Sequence, residues 1–93
     1  MATKTIYSAQ YKQLIQRLRV LREEKGITQT ALSKELGWPQ QRLSAIEAGA
    51  RRLDVMEFLH LTSRLGLAPV DAIGMAVQAY EPATKDLAAR RKK

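Results

Sequence analysis

Residues 28–47, TQTALSKELGWPQQRLSAIE, combine polar side chains able to hydrogen-bond a partner with an apolar pattern able to hold them in place. Leu32 and Leu36 mark the apolar face of one short amphipathic helix, and Leu43 and Ile46 that of a second. Gly37 lies between them, where the chain needs a positive φ that glycine adopts at no steric cost. A tight helix–turn–helix of this kind can present its second helix outward, and a DNA major groove is wide enough to take one α-helix. The chemistry expected of this stretch is recognition rather than bond making.

An enzyme reading fails on inventory. There is no cysteine, which excludes disulfides and thiolate metal sites, and the chain shows no Ser–His–Asp spacing, no phosphate-cradling glycine loop and no paired carboxylates in a plausible cleft. His60, flanked by Leu59 and Leu61, reads as a solvated or core-edge residue rather than a metal ligand or catalyst. Met56 and Met75 read as core residues. No cofactor or metal is expected. No apolar run reaches the roughly 20 residues of a membrane span, and no cleavable apolar segment follows Met1, so the expectation is a soluble, cytoplasmic protein.

The formal net charge of +7 favours an anionic partner, and its distribution is uneven. Residues 1–53 hold ten Lys/Arg against four Asp/Glu, and residues 81–93 hold five against two. Between them, residues 54–80 hold only Arg64 against Asp54, Glu57 and Asp71. One part of the domain is basic, and the later part is mildly acidic and very apolar.

The elements that must position residues 28–47 are helical throughout. With 93 residues the chain makes one domain, and an aromatic content of 5% with no strand pattern sets the fold class as all-α. Residues 1–7 lack periodicity and read as a flexible arm, with Lys4 within reach of phosphates. The domain proper is expected over 8–81, with the helix-turn-helix at about 28–48. Ser8 caps a first helix whose apolar stripe is Tyr11, Leu14, Ile15, Leu18 and Leu21, and Gly26 ends it. Thr28 caps the second helix, although Ala31 stands where a capping-box Glu would reach back. Pro39 opens the third, from Gln40 to about Ala48, and Gly49 closes it. Asp54 caps a fourth helix with a broad apolar surface of Val55, Phe58, Leu59, Leu61, Thr62 and Leu65, ended by Gly66. From Pro69 a fifth helix is apolar nearly all round, so a second cover is expected, most simply another copy of the chain. Its candidate dimer face is Val70, Ile73, Val77 and Tyr80. Glu81-Pro82 is expected to end regular structure, leaving 82–93 as a basic disordered tail.

The run GITQTALSKELGWPQQRLSAIEAG resembles the Cro/C1-type (Xre) helix-turn-helix regulators. The likeness extends over roughly residues 10–68. It is carried by Gly26 to Gln29, Leu32, Leu36-Gly37, Gln40, Leu43, Ile46-Glu47 and Gly49 together. It implies a five-helix, lambda-repressor-like domain, usually dimeric, whose third helix enters the major groove of double-stranded DNA.

Position by position, the resemblance implies that Gln29, with Thr28, grips the DNA backbone at the N-terminus of the second helix, a place that suits an anion. Trp38, Gln40, Gln41, Arg42, Ser44 and Ala45 take the positions that meet base edges. Glutamine can bind adenine and arginine guanine in bidentate fashion. Trp38 is open to a second reading, partial packing against the second helix. Arg51 and Arg52 match a basic loop that contacts the sugar-phosphate backbone. Arg22 and Glu47 fall where the family places a structural ion pair. Ser33 departs from the usual alanine at the tight helix–helix contact, where its hydroxyl can bond back to a carbonyl.

The resulting expectation is a homodimeric, sequence-specific transcription regulator, a repressor by the lack of any appended ligand domain. The alternative is an antitoxin that binds a toxin and autoregulates its operon. A third class is a protein-interaction module working through the apolar last helix.

Overall fold

The computed structural model describes the backbone of residues 6–91 and the side chains of residues 9–81. Five helices follow one another: α1 (Ile6–Glu24), α2 (Gln29–Leu36), α3 (Gln40–Glu47), α4 (Val55–Arg64) and α5 (Pro69–Arg91). There are no strands among the described residues, so the all-α class holds.

Local chemistry sets the element ends. Thr28 Oγ1 accepts from Ala31 N at 3.0 Å and caps α2 despite the missing acid. Asp54 and Glu57 form a reciprocal capping box on α4, with Glu57 N donating to Asp54 Oδ1 at 2.7 Å and Asp54 N donating to Glu57 Oε1 at 3.0 Å. At the turn between α2 and α3, Gly37 takes a φ of 76°. Trp38 N donates to Ser33 O at 3.0 Å and Gly37 N to Lys34 O at 3.2 Å. This bond pair satisfies two carbonyls at the end of α2 and reverses the chain within two residues. The same pairing recurs around Gly26, Gly49 and Gly66.

The core is one cluster: Ile15 and Leu18 of α1, Leu32 and Leu36 of α2, Leu43 and Ile46 of α3, Phe58 and Leu61 of α4 with its cap residue Leu65, and Ala72 of α5. These are the apolar stripes of the amphipathic pattern turned inward. The face that α5 gives to the core is mostly small, with Ala72 and Ala79 buried and Ala76 half-buried beside Met75, which suits a close approach to α1. Val70, Ile73 and Val77 are exposed instead. Thr62 is buried inside α4 by returning its hydroxyl to Phe58 O at 2.9 Å.

Several expectations need correction. α1 begins at Ile6, so Ser8 is inside the helix rather than its cap, and only residues 1–5 of the expected arm, Lys4 among them, lie outside the described residues. α5 runs through Pro82 to Arg91. Proline removes one i→i−4 bond, but ATKDLAARR beyond it is rich in strong helix formers, and residues 82–91 of the expected tail are helical. Lys92 and Lys93 lie outside the described residues. Val55 and Met56 are exposed, Met56 at 72%, because both precede the first inward turn of α4. Ser33 is buried as a small residue should be, but its Oγ has no hydrogen-bond partner among the described residues.

Candidate nucleic-acid interface

Burial of Leu43 and Ile46 fixes how α3 sits, and its opposite face is left in solvent. Gln40, Gln41 and Ser44 are exposed and fall within about 100° of arc at about 3.6 residues per turn. They form one polar strip along the outside of α3. Arg42 and Ala45 do not share it: both are half-buried on the flank toward α4 and the loop that follows α3. Ala45 contributes its carbonyl, which accepts from Ala50 N at 2.8 Å and Arg51 N at 3.2 Å and so turns that loop.

A chain of hydrogen bonds ties the strip to the scaffold. Arg22 on α1 meets Glu47, the last residue of α3, through two parallel bonds: Nε to Oε2 at 2.7 Å and Nη2 to Oε1 at 3.0 Å. Its third nitrogen, Nη1, donates to Ile27 O at 2.6 Å. Gln29 at the start of α2 donates through Nε2 to Glu47 Oε1 at 2.8 Å. Gln40 Nε2 donates in turn to Gln29 Oε1 at 3.4 Å. Gln29 therefore sits between the buried ion pair and the first residue of the exposed strip. Thr28 uses its hydroxyl on the cap, and its remaining surface is exposed beside Gln29.

Trp38 packs in part against its neighbours. Its ring meets His60 edge-on, with centroids 6.0 Å apart, and carries the Arg42 guanidinium 4.5 Å above its face. His60 is a core-edge residue with a defined task. Its Nε2 lies 3.0 Å from Leu36 O, a carbonyl left open at the end of α2, so the ring nitrogen there bears the proton.

The basic loop is held from two sides. Tyr11 of α1 accepts from Leu53 N at 2.9 Å through its hydroxyl, and its ring lies 5.0 Å from the Arg52 guanidinium. Arg52 is exposed and makes no ion pair among the described residues. Arg51, in contrast, pairs with Glu57, with Nη2 to Oε2 at 3.2 Å, and Arg42 donates to the same oxygen. The Asp54 backbone N–H, followed by the two guanidiniums, pulls the Glu57 carboxyl from its ordinary 4.5 to about 2. Neither Glu57 nor Tyr11 stood out in the sequence as a site residue. The Asp54-x-x-Glu57 spacing is a capping-box signal that could have flagged the first; nothing in the α1 stripe separates Tyr11 from its apolar neighbours.

Away from this face, Val70, Ile73, Val77 and Tyr80 lie together on α5 and are exposed. Beside them, Tyr11, Leu14, Leu53, Val55, Phe58, Ile73 and Ala76 line an apolar groove of about 230 Å³. Among the described residues no group of histidines and acids could hold a metal ion, and no helix is long and apolar enough to cross a membrane.

Two short helices meeting at a left-handed glycine, the second with its polar face outward, define a helix-turn-helix domain. Residues 13–72 match the family described as helix-turn-helix domain, and the chain belongs to that family. An uncharacterised HTH-type transcriptional regulator of Sinorhizobium fredii is 38% identical over 53 residues, which span 57% of this chain and 69% of that relative. No solved structure matches the chain.

Proposed function

We propose that the chain is a sequence-specific, double-stranded-DNA-binding transcription regulator of the Cro/C1 type. It acts as a homodimeric repressor on a pseudo-palindromic operator, in the cytoplasm and without catalysis. The observation that carries this is the exposed strip of Gln40, Gln41 and Ser44 on α3, whose first amide is oriented through Gln29 by a buried ion pair. The Gln40 amide is directed by its bond to Gln29, and glutamine amides presented on an exposed helix face suit the base edges of a major groove.

In this reading α3 lies in the groove and Gln29 and Thr28 seat the N-terminus of α2 on a phosphate. Arg52 contacts the backbone beyond α3, whereas Arg51, which the resemblance gives the same role, is engaged by Glu57. Trp38 flanks the strip. Arg42 and Ala45 flank the strip rather than read bases, a change from what the resemblance implies. The relative's description as a transcriptional regulator and the net charge of +7 support the same reading.

Footprinting on the DNA upstream of the chain's own gene tests it. The expected result is protection of two related half-sites about one helical turn apart. Uniform weak protection of any sequence would remove the sequence-specific role.

A further inference from the structure

We propose that Glu57 is a specificity-determining residue: its carboxylate holds Arg42 and Arg51 against the protein, and so keeps two cations beside the α3 strip from gripping phosphates of any sequence. The inference rests on the DNA-binding reading above.

Three segments converge on this one side chain. Glu57 stands in the first turn of α4 and receives Arg42 from α3 and Arg51 from the intervening loop. Arg51 approaches with both terminal nitrogens, Nη1 to Oε1 at 3.4 Å and Nη2 to Oε2 at 3.2 Å. The acid is the inner partner and the cations the outer ones, with side-chain exposures of 15% for Glu57, 31% for Arg42 and 41% for Arg51. Arg42 is confined further by the Trp38 ring beneath it, and its buried Nε has no hydrogen-bond partner among the described residues. Such a guanidinium is placed by Glu57 and Trp38, not by a contact of its own choosing.

The consequence follows from how the two kinds of binding differ. Binding to arbitrary DNA is almost entirely electrostatic, set by the number of phosphates neutralised. Reading by Gln40 and Gln41 uses neutral amides and does not depend on the two arginines. A carboxylate that occupies both guanidiniums therefore lowers affinity for random DNA more than for an operator, and the ratio of the two governs occupancy in a genome. A merely structural Glu57, binding α3 to α4, makes the opposite forecast: its loss weakens all binding.

The test compares wild type with Glu57→Gln, which keeps an oxygen for the Asp54 N–H and removes the charge. Affinities for the footprinted operator and for a random duplex are measured across a salt series, with melting followed by circular dichroism. The expected result is a gain for the random duplex of roughly tenfold at about 0.1 M salt for each arginine released, with the log–log salt slope steeper by about 0.9 per contact. Operator affinity rises less, so discrimination falls. The gain on random DNA shrinks in an Arg42→Gln, Glu57→Gln double variant. Should Glu57→Gln fail to fold, Glu57→Asp keeps the helix-start charge but shortens its reach, and a smaller gain of the same sign is expected. Unchanged random-duplex affinity in a folded variant, or a parallel loss on both duplexes, overturns the proposal. Failure of the wild-type protein to bind any duplex instead removes the DNA-binding reading itself and this inference with it.

Discussion

Arg22 and Glu47 meet as a two-bond fork between α1 and the end of α3, 2.7 and 3.0 Å across, with side-chain exposures of 9% and 8%. A pair this buried attracts strongly, but both ions have also given up water, so its net contribution is far smaller than the loss on breaking it. The bonds to Ile27 O and from Gln29 satisfy most of the remaining valences. Glu47→Ala leaves the guanidinium buried without its acid and should cost about 3 kcal/mol of unfolding free energy, near the low end for buried pairs because Ile27 O remains. Replacing both partners, as Arg22→Met with Glu47→Leu, should recover most of that stability. Urea denaturation of the wild type and these two variants measures it; equal loss in the single and the double variant would show that the packing, not the stranded charge, is what matters.

The same network reaches the α3 strip, and the strip supplies the second prediction. Gln41→Ala and Gln40→Ala should each remove about 1–3 kcal/mol of discrimination between operator and single-base variants, while random-duplex affinity stays nearly constant. Gln29→Ala should act on both, since in the proposed reading it seats α2 on the backbone and its amide oxygen accepts from Gln40. Competition binding against a panel of mismatched operators is the measurement. If both Gln40→Ala and Gln41→Ala leave the ranking of sequences unaltered, α3 is not the reading helix.

The helix count, the left-handed glycine at the turn and the inward leucines were all legible in the sequence, because each depends on a short-range pattern: three- and four-residue apolar spacing, or a backbone angle only glycine adopts freely. Arg42 shows what was not legible. The sequence places it at the start of α3, among polar residues, but its flank is set by where Leu43 buries and by Glu57 fifteen residues away on another helix. Pro82 misled in the opposite sense: it removes one backbone bond and crowds the preceding turn, yet the helix continues through it to Arg91 over residues that favour helix.

Ser33 gives a third prediction, of improved stability. The hydroxyl was expected to return to a carbonyl, yet it is buried at the α2 contact with its oxygen unpaired among the described residues. An unmet buried polar group costs about 1–3 kcal/mol, and alanine removes only one oxygen, leaving little cavity. Ser33→Ala should therefore stabilise the domain by about 1 kcal/mol and raise the melting temperature by roughly 4–8 °C. A fall in melting temperature would mean that the oxygen has a partner.

Acid should loosen the α3–α4 junction in a defined window. In the unfolded chain Glu57 takes up its proton near the ordinary 4.5, whereas in the fold the Asp54 N–H and the arginines hold it ionised down to about 2. Between those values the unfolded state binds more protons, so this residue's contribution to stability is fully present above about 4.5 and is lost as pH falls toward about 2. Stability of the wild type measured by urea at stepped pH should decline through that window more steeply than that of Glu57→Gln. Parallel curves would place the acid sensitivity on other carboxylates.

The α5 face carries the last prediction. Val70, Ile73, Val77 and Tyr80 recur at three and four residues on the side away from Ala72 and Ala79, so core packing does not account for them. Isolated exposed apolar residues are ordinary, but four aligned on one helix beside an apolar groove form a contiguous patch of the kind that protein partners cover. In the proposed homodimer this stripe packs against its copy, since a two-fold interface uses the same patch on both subunits. Ile73→Asp and Val77→Asp change positions already 45% and 43% exposed, so each monomer should keep its fold while burial of the new charge opposes association. Sedimentation equilibrium should then give a monomer mass for both variants at concentrations where the wild type is dimeric, with unchanged helical circular dichroism. A dimer that persists in both variants would move the interface off α5 and require the two half-sites to be bridged by another surface.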